Sequence, residues 1–116
     1  MSVMNYINKL YKVEKLGNGI VKITLDNPPV NAITLDVTAE QIDTLLKIDK
    51  DNDIRIVILT AAGTKAFCAG SDIKEFPDVW DDVIYKKLKK ENEAYNLIEQ
   101  ISKPVIAAIE GLAYGG

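Results

Sequence analysis

Apolar and polar residues alternate in two short stretches near the start of the chain. Residues 11–16 form a candidate strand of mixed pattern, and in residues 20–25 the apolar side chains occupy every second position. Gly17-Asn18-Gly19 lies between the two stretches and is a strong turn signal. The pattern predicts a β-hairpin whose buried face carries three side chains of the second strand, Val21, Ile23 and Leu25.

A helical spacing follows the proline-containing loop of residues 26–33. Thr34 has the residue type that caps helix N-termini, and Asp36 falls in the first turn, where negative charge is favourable. Asp51-Asn52-Asp53 interrupts the pattern. We therefore predict a helix of about four turns. It should pack through a stripe made of Leu35, Ala39, Ile42, Leu45 and Leu46.

The rest of the chain reads as strand, helix and strand. Residues 54–60 are almost continuously apolar and β-branched, which predicts a strand covered on both faces, and residues 105–109 predict a second buried strand. Parallel strands joined in this way end at the same edge of a sheet, so the loops around Ser71 and Gly116 should meet. Between the strands, the predicted helix carries an apolar stripe of Ile84, Leu88, Tyr95, Ile98 and Ile101. This order indicates an α/β fold.

Small residues dominate the loop that follows the first of these strands. Ala69, Gly70 and Ser71 would let a ligand approach the backbone closely, and the chain then turns toward a short helix. Backbone that opens a helix presents N–H groups without internal partners. We therefore expect the Ser71 N–H to donate a hydrogen bond to a substrate oxygen.

Composition and charge exclude several kinds of site. The length of 116 residues is enough for one domain, and the chain has a net charge of -3, one cysteine and no histidine. Such a chain has no Ser-His-Asp or Cys-His pair and only a poor ligand set for zinc, so we expect no metal site. It has no apolar run of roughly 18 residues. Residues 1–8 lack the pattern of a signal peptide. We expect a cytoplasmic protein that binds neither nucleic acid nor membranes.

Several residues allow two interpretations each. Asp72 and Glu75 are either a carboxylate pair or, as we favour, a helix cap and a solvated side chain. Cys68 lacks a histidine to activate it, which favours a packing role. Lys74 either contacts a phosphate or is solvated. Asn31 fixes the shape of its loop or contacts a ligand.

A basic run in the predicted helix also has two interpretations. It consists of Lys86, Lys87, Lys89 and Lys90, and we favour a solvated helix face over attraction of a phosphate-bearing ligand. We expect Trp80 and Tyr95 in the core.

Three motifs, in the same order and at similar spacing, resemble the crotonase superfamily, also called the enoyl-CoA hydratase/isomerase family. They are residues 28–33 (PPVNAI), residues 67–75 (FCAGSDIKE) and residues 103–116 (KPVIAAIEGLAYGG). The resemblance implies a crotonase-like ββα spiral core, of which residues 1–116 are the N-terminal portion of a single domain. It also implies an acyl-CoA thioester as partner, coenzyme A only as part of the substrate, a role in fatty acid metabolism and a homo-oligomer, either trimer or hexamer.

The same resemblance implies which residues form the site. Two backbone N–H groups, those of Ser71 and Gly116, correspond to the oxyanion hole that stabilises a thioester enolate. The substrate-binding positions implied by the motifs are Asn31, Ala32, Ala69, Gly70, Ser71, Asp72, Ile73, Lys74 and Gly116.

The sequence departs from the family in length. Family domains are more than twice as long, and their acid/base carboxylates follow the second glycine motif, where this sequence stops. Whether the 116-residue chain is itself an enzyme therefore stays open. We expect either the acyl-CoA-binding part of a hydratase or isomerase, which the break inside a functional motif favours, or a non-catalytic relative that acts only as a CoA-binding or oligomerisation module.

Overall fold

The computed structural model describes residue 6 and residues 8–116. Most of the segment on which the signal-peptide expectation rests, residues 1–5 and 7, lies outside the described residues. The strands are β1 (Tyr11–Gly17), β2 (Ile20–Leu25), β3 (Ile56–Ala61), β4 (Ala66–Cys68), β5 (Val105–Ala107) and β6 (Leu112–Ala113). The α-helices are α1 (Leu35–Lys50) and α2 (Lys89–Gln100). A 3₁₀ segment (Ile73–Asp82) and a π-helical turn (Ile84–Leu88) precede α2.

The strands form two sheets, and their topology confirms both the predicted β-hairpin and the predicted strand–helix–strand (βαβ) unit. β1 and β2 are antiparallel around the Gly17–Gly19 turn, as a hairpin requires. β2 and β3 are parallel, and so are β3 and β5, which gives the strand order β1-β2-β3-β5. β4 and β6 form a second, two-stranded parallel sheet. The segment from β3 to β5 is therefore the predicted βαβ unit, and the chain after each of its strands contributes to the small sheet.

The core lies between the larger sheet and the two helices. Val21, Ile23 and Leu25 are buried, as the alternation in β2 predicts. The prediction that β3 is covered on both faces is wrong for these residues: Val57 is fully buried, but Ile56 is 36% exposed. β5, its parallel neighbour, spans only Val105–Ala107, and Ile106 within it is 54% exposed, so the prediction of a second buried strand over residues 105–109 is also wrong. The segment that follows β5 is exposed as well. Within the described residues, one face of the sheet therefore carries most of the packing.

Helix α1 has the predicted bounds but buries a different face. Thr34 caps it by accepting a hydrogen bond from the Val37 N–H at 3.1 Å. Leu45 is buried as predicted, but Ala39 and Leu46 are exposed, so the predicted stripe is wrong. The buried face consists of Val37, Thr38, Gln41, Thr44, Leu45 and Ile48. Its polar members satisfy their hydrogen bonds with other elements or with the preceding turn, which allows them to be buried.

The second helical region also departs from the predicted stripe. Ile84 and Leu88 are 61% and 41% exposed, and Lys87 between them is fully buried. These residues lie in the π-helical turn, whose wider hydrogen-bonding spacing shifts the helical phase relative to α2. Trp80, expected in the core, is 73% exposed. Tyr95 on α2 is partly buried and packs against a core cluster.

Candidate functional site

The two loops that the βαβ unit predicts to meet are in contact. β4 and β6 lie side by side, and the Tyr114 N–H donates to the Cys68 carbonyl at 3.1 Å. Gly70 and Gly115, which follow these strands, both have a positive φ, of 84° and 83°. A Cβ placed on Gly115 would lie 2.6 Å from the Gly70 Cα. The loops can approach this closely because both contact residues are glycines.

Ser71 is held in an extended conformation beside the first proline-containing loop. It forms a parallel bridge with Ile33, in which the Ile33 N–H donates to the Gly70 carbonyl at 2.8 Å and the Asp72 N–H donates to the Ile33 carbonyl at 2.9 Å. This pairing leaves the Ser71 N–H directed away from Ile33. Among the residues that the structure describes, no backbone acceptor receives that N–H. The Ser71 Oγ is also buried without a partner among them.

Gly116 lies against the ring of Tyr95, where a side chain at this position would overlap the ring. Both residues line a cavity of about 230 Å³ that extends toward Gln41 on α1. Its other walls are formed mainly by apolar side chains, with Thr60 and the backbone of Gly115. Ser71 is not among the residues that line it. The two predicted donors therefore flank the Gly70–Gly115 contact, and the cavity opens beside Gly116.

Asn31 organises the loop that carries Ala32 and Ile33. It is 2% exposed and has a φ of 55°, a conformation that asparagine tolerates better than most residues. Its Nδ2 donates to the carbonyls of Ala62 and Ala66 at 3.0 and 2.8 Å, and its Oδ1 accepts from the Asn27 N–H at 2.8 Å. Because these bonds use both N–H donors of the amide and tie Oδ1 to Asn27, the side chain fixes the shape of its loop.

Asp72 and Glu75 bind protein groups rather than each other. The Asp72 carboxylate caps the 3₁₀ segment by accepting from the Lys74 N–H at 3.0 Å, as the cap interpretation predicts. The expectation that Glu75 is solvated is wrong, because its Oε1 accepts from Lys87 Nζ at 2.7 Å and from the Leu35 N–H at 2.9 Å. Lys87 also donates to the Ile33 carbonyl at 3.1 Å. The interpretation of the basic run as a solvated face therefore fails at Lys87.

Among the remaining candidates, Ala32 and Ala69 are partly buried, whereas Ile73 and Lys74 are exposed. Cys68 is partly buried, and its Sγ accepts from the Gly70 N–H at 3.4 Å. Burial raises the pKa of the Cys68 thiol, and the charge of Glu91 acts in the same direction, against the opposing effect of the Gly70 N–H. A raised pKa favours the neutral thiol, which agrees with a packing role for Cys68.

Of the two buried charged residues near this site, the sequence analysis assigned Lys87 to a solvated face and did not single out Glu91. Both are buried on the helical region that faces the Ser71 loop, and they are four residues apart. Glu91 is in turn four residues before Tyr95. This spacing places all three on one face of the helix and was the signal available in the sequence.

Two general properties of the described residues are relevant to the chemistry. No group of three or more Cys, Asp or Glu side chains lies close enough in this part of the chain to hold a metal ion. The helices of the same part are too short or too polar to cross a lipid bilayer.

Comparison with known proteins points to one family. Residues 15–116 match the family model described as enoyl-CoA hydratase/isomerase. The chain is 35% identical over 105 residues to the short-chain-enoyl-CoA hydratase of Clostridium acetobutylicum and 32% identical over 103 residues to the (E)-benzylidenesuccinyl-CoA hydratase of Thauera aromatica. These matches cover 90% and 88% of this chain and 40% of each relative.

Comparison of the fold with solved structures points to the same family. The crystal structure of an enoyl-CoA hydratase from Bacillus anthracis superimposes with a TM-score of 0.84 at 34% identity, over 90% of this chain and 41% of that protein. The architecture is thus the N-terminal part of the crotonase-like fold expected from the sequence. The chain spans about two fifths of the length of these relatives.

Proposed function

The chain belongs to the enoyl-CoA hydratase/isomerase family, and on that premise we propose that it forms the acyl-CoA-binding, oxyanion-stabilising part of a family enzyme. The backbone N–H groups of Ser71 and Gly116 donate to the carbonyl oxygen of an acyl-CoA thioester. The observation that carries the proposal is the contact between Gly70 and Gly115, which brings the two donor loops together at one edge of the small sheet.

The chemistry requires donors that are already in position before charge develops. When the α-carbon of a thioester gains electron density, negative charge collects on the carbonyl oxygen, and two fixed N–H groups stabilise it without reorganisation. One such donor is worth roughly 3–4 kcal/mol in well-studied acyl-transfer sites. The bridge between Ile33 and Ser71 supports this role, because it holds the Ser71 backbone while leaving its N–H without an acceptor among the described residues.

The residues around the donors position the loops. Asn31 ties the first loop to the carbonyls of Ala62 and Ala66, and Lys87 with Glu75 ties the Ser71 loop to the start of α1. In this proposal these side chains keep the donor geometry fixed and do not move protons. Lys74 is exposed next to the site and is free to meet a phosphate of coenzyme A, so it remains part of the proposed substrate-binding set, with Ala32, Ala69, Asp72 and Ile73.

A pair of substitutions at Ser71 tests the proposal. Ser71→Pro removes the N–H, whereas Ser71→Ala keeps it and removes only the hydroxyl. Calorimetric titration with crotonyl-CoA should show binding about tenfold weaker or worse for Ser71→Pro and within about twofold of wild type for Ser71→Ala, since one hydrogen bond is lost only in the first. Free coenzyme A should bind all three proteins equally.

Thermal melts establish that each variant is folded at the titration temperature. A ligand comparison on the wild-type protein avoids mutation altogether: butyryl-CoA should bind more tightly than S-butyl-CoA, the thioether that lacks the carbonyl. Equal affinity for the ester and the thioether, or equal affinity of the folded Pro and Ala variants for crotonyl-CoA, would contradict the proposed donor.

A further inference from the structure

One buried carboxyl group near the donor loops has no partner. Glu91 is 4% exposed, and its Oε2 is buried without a hydrogen bond among the residues that the structure describes. The other buried polar or charged side chains of this part of the chain all make hydrogen bonds, and they are Asn31, Thr38, Gln41, Thr44, Asp51 and Lys87. Buried carboxyl groups are normally paired, so an exception indicates a functional position.

The position of Glu91 along the helix places it between the two proposed donors. One turn before it, Lys87 donates to the carbonyl of Ile33, the residue that pairs with Ser71. One turn after it, the Tyr95 ring lies against Gly116. The pKa of Tyr95 is raised mainly by burial and next by the charge of Glu91. The charge of Glu91 also raises the pKa of the Cys68 thiol. The carboxyl group therefore lies near Tyr95 and Cys68, both of which line the cavity beside Gly116.

A second unpartnered atom belongs to one of the two donor loops. The Ser71 Oγ is buried without a hydrogen bond among the described residues, and Ser71 and Glu91 are the two residues with such side-chain atoms there. The nearby cavity walls are mainly apolar. A polar group of a ligand that enters this region would meet unsatisfied hydrogen-bonding groups in apolar surroundings. In such surroundings a hydrogen bond discriminates strongly between a ligand that carries the polar group and one that lacks it.

We infer that Glu91 is a specificity-determining residue that accepts a hydrogen bond from a hydroxyl group on the acyl part of the ligand. The inference rests on the proposed function, which puts the thioester oxygen at Ser71 and Gly116, and it adds that the acyl chain lies beside Glu91. A purely hydrocarbon acyl group would leave the carboxyl group without a partner. A hydroxylated acyl group of the same length gives it a donor and is therefore the preferred ligand.

The test compares CoA esters that differ only in the hydroxyl group. Wild-type protein is titrated calorimetrically with butyryl-CoA, 3-hydroxybutyryl-CoA and 4-hydroxybutyryl-CoA, and we expect one hydroxy ester to bind about tenfold more tightly than butyryl-CoA, as a hydrogen bond to a charged group allows. Glu91→Leu should abolish this preference, and Glu91→Gln, which keeps an acceptor oxygen, should retain part of it.

A stability measurement tests the unpartnered carboxyl group independently of any ligand. Glu91→Leu should raise the melting temperature by about 5 °C relative to Glu93→Leu, the same change at an exposed position of α2, because it removes a buried group with an unmet hydrogen-bonding requirement. A melting temperature below that of Glu93→Leu would show that Glu91 has a structural partner and would overturn the inference.

The outcomes separate this inference from the proposed function. If wild-type protein binds the three esters equally, or if the hydroxyl preference survives in Glu91→Leu, the role of Glu91 is wrong while acyl-CoA binding stands. If wild-type protein binds none of the esters, the proposed function itself is wrong, and the ligand assigned to Glu91 is wrong with it.

Discussion

At the scale of single residues, the site depends on two glycines that touch. The sequence motif predicted that small residues near Gly70 let a ligand approach the backbone. The structure shows that they also let the Gly115 loop pack against it. Gly70 and Gly115 each have a positive φ, and each would place a Cβ against the backbone of the other. The requirement for glycine is therefore double, arising from backbone conformation and from contact.

Replacing Gly115 with alanine should lower the free energy of unfolding by more than the strain of its backbone conformation alone, and it should weaken ligand binding. Gly63 has nearly the same φ, 84°, but a Cβ there would meet nothing within 4 Å. Both Gly→Ala changes carry a conformational cost of about 1–2 kcal/mol, and Gly115→Ala adds a packing cost of about 1–3 kcal/mol. Urea unfolding measures the free energies, and calorimetry should show that crotonyl-CoA affinity falls only in Gly115→Ala. Equal losses of unfolding free energy and of affinity at both positions would contradict a packing requirement at Gly115, since the two loops could then move apart without loss of stability.

Some residue roles could be predicted from the sequence and others could not. Thr34 and Asp72 cap helical segments within three residues of themselves, so local sequence suffices. Glu75 bonds to Leu35 and Lys87, 40 and 12 residues away, and nothing local distinguishes it from a solvated acid. Glu91 was missed although its four-residue spacing from Lys87 and Tyr95 is visible in the sequence, because spacing alone does not show which helix face is buried; that depends on how α2 packs.

At the scale of secondary structure, short patterns predicted the four strands of the larger sheet, whereas the short strands β4 and β6 were not predicted and helix faces were less predictable. The hairpin and the parallel β3–β5 pair follow from alternation, turn residues and β-branched runs. The apolar stripe of α1 failed because Thr38, Gln41 and Thr44 are buried with satisfied hydrogen bonds. The stripe before α2 failed because a π-helical turn changes the phase, which a regular period cannot anticipate.

The ion pair that ties the 3₁₀ segment to the π-helical turn should contribute strongly to stability. The side chain of Lys87 is 0% exposed and that of Glu75 is 24% exposed, whereas Lys86 and Asp81 form an exposed pair nearby, at 51% and 67%. Glu75→Ala should lower the free energy of unfolding by about 3 kcal/mol or more, because it leaves a buried ammonium group short of a partner. Asp81→Ala should cost less than about 1 kcal/mol.

Adding Lys87→Met to Glu75→Ala should recover part of the loss, since the unpaired charge is then gone. Chemical denaturation of the four proteins, including wild type, provides the comparison. Similar losses for Glu75→Ala and Asp81→Ala, or no recovery in the double variant, would contradict the role of this pair.

At the scale of the whole molecule, the segment that follows α2 exposes much of its apolar surface. Four large apolar side chains after α2 are more than half exposed: Ile106, Ile109, Leu112 and Tyr114. β5 is also the last strand in the order of the larger sheet. Exposed apolar side chains and an exposed strand edge favour association, and the relatives of this chain continue well beyond the matched region.

The 116-residue chain should therefore self-associate through this surface. Sedimentation velocity should show species larger than 12.8 kDa for wild type. The double variant Ile106→Lys and Leu112→Lys should shift the distribution toward monomer, whereas Leu16→Lys, at a 52% exposed position on β1, should not. A monomeric wild type, or an equal shift by Leu16→Lys, would show that the surface after α2 is not the cause.

The central claim is that the Ser71 and Gly116 N–H groups bind a thioester oxygen. Two-dimensional ¹H–¹⁵N spectra of the labelled protein, titrated with butyryl-CoA and with its thioether S-butyl-CoA, measure this at the two amides. We expect both amide protons to move downfield with the thioester and much less with the thioether, because only the thioester offers a carbonyl acceptor. Equal shifts with the two ligands, or thioester-specific shifts confined to other amides, would contradict it.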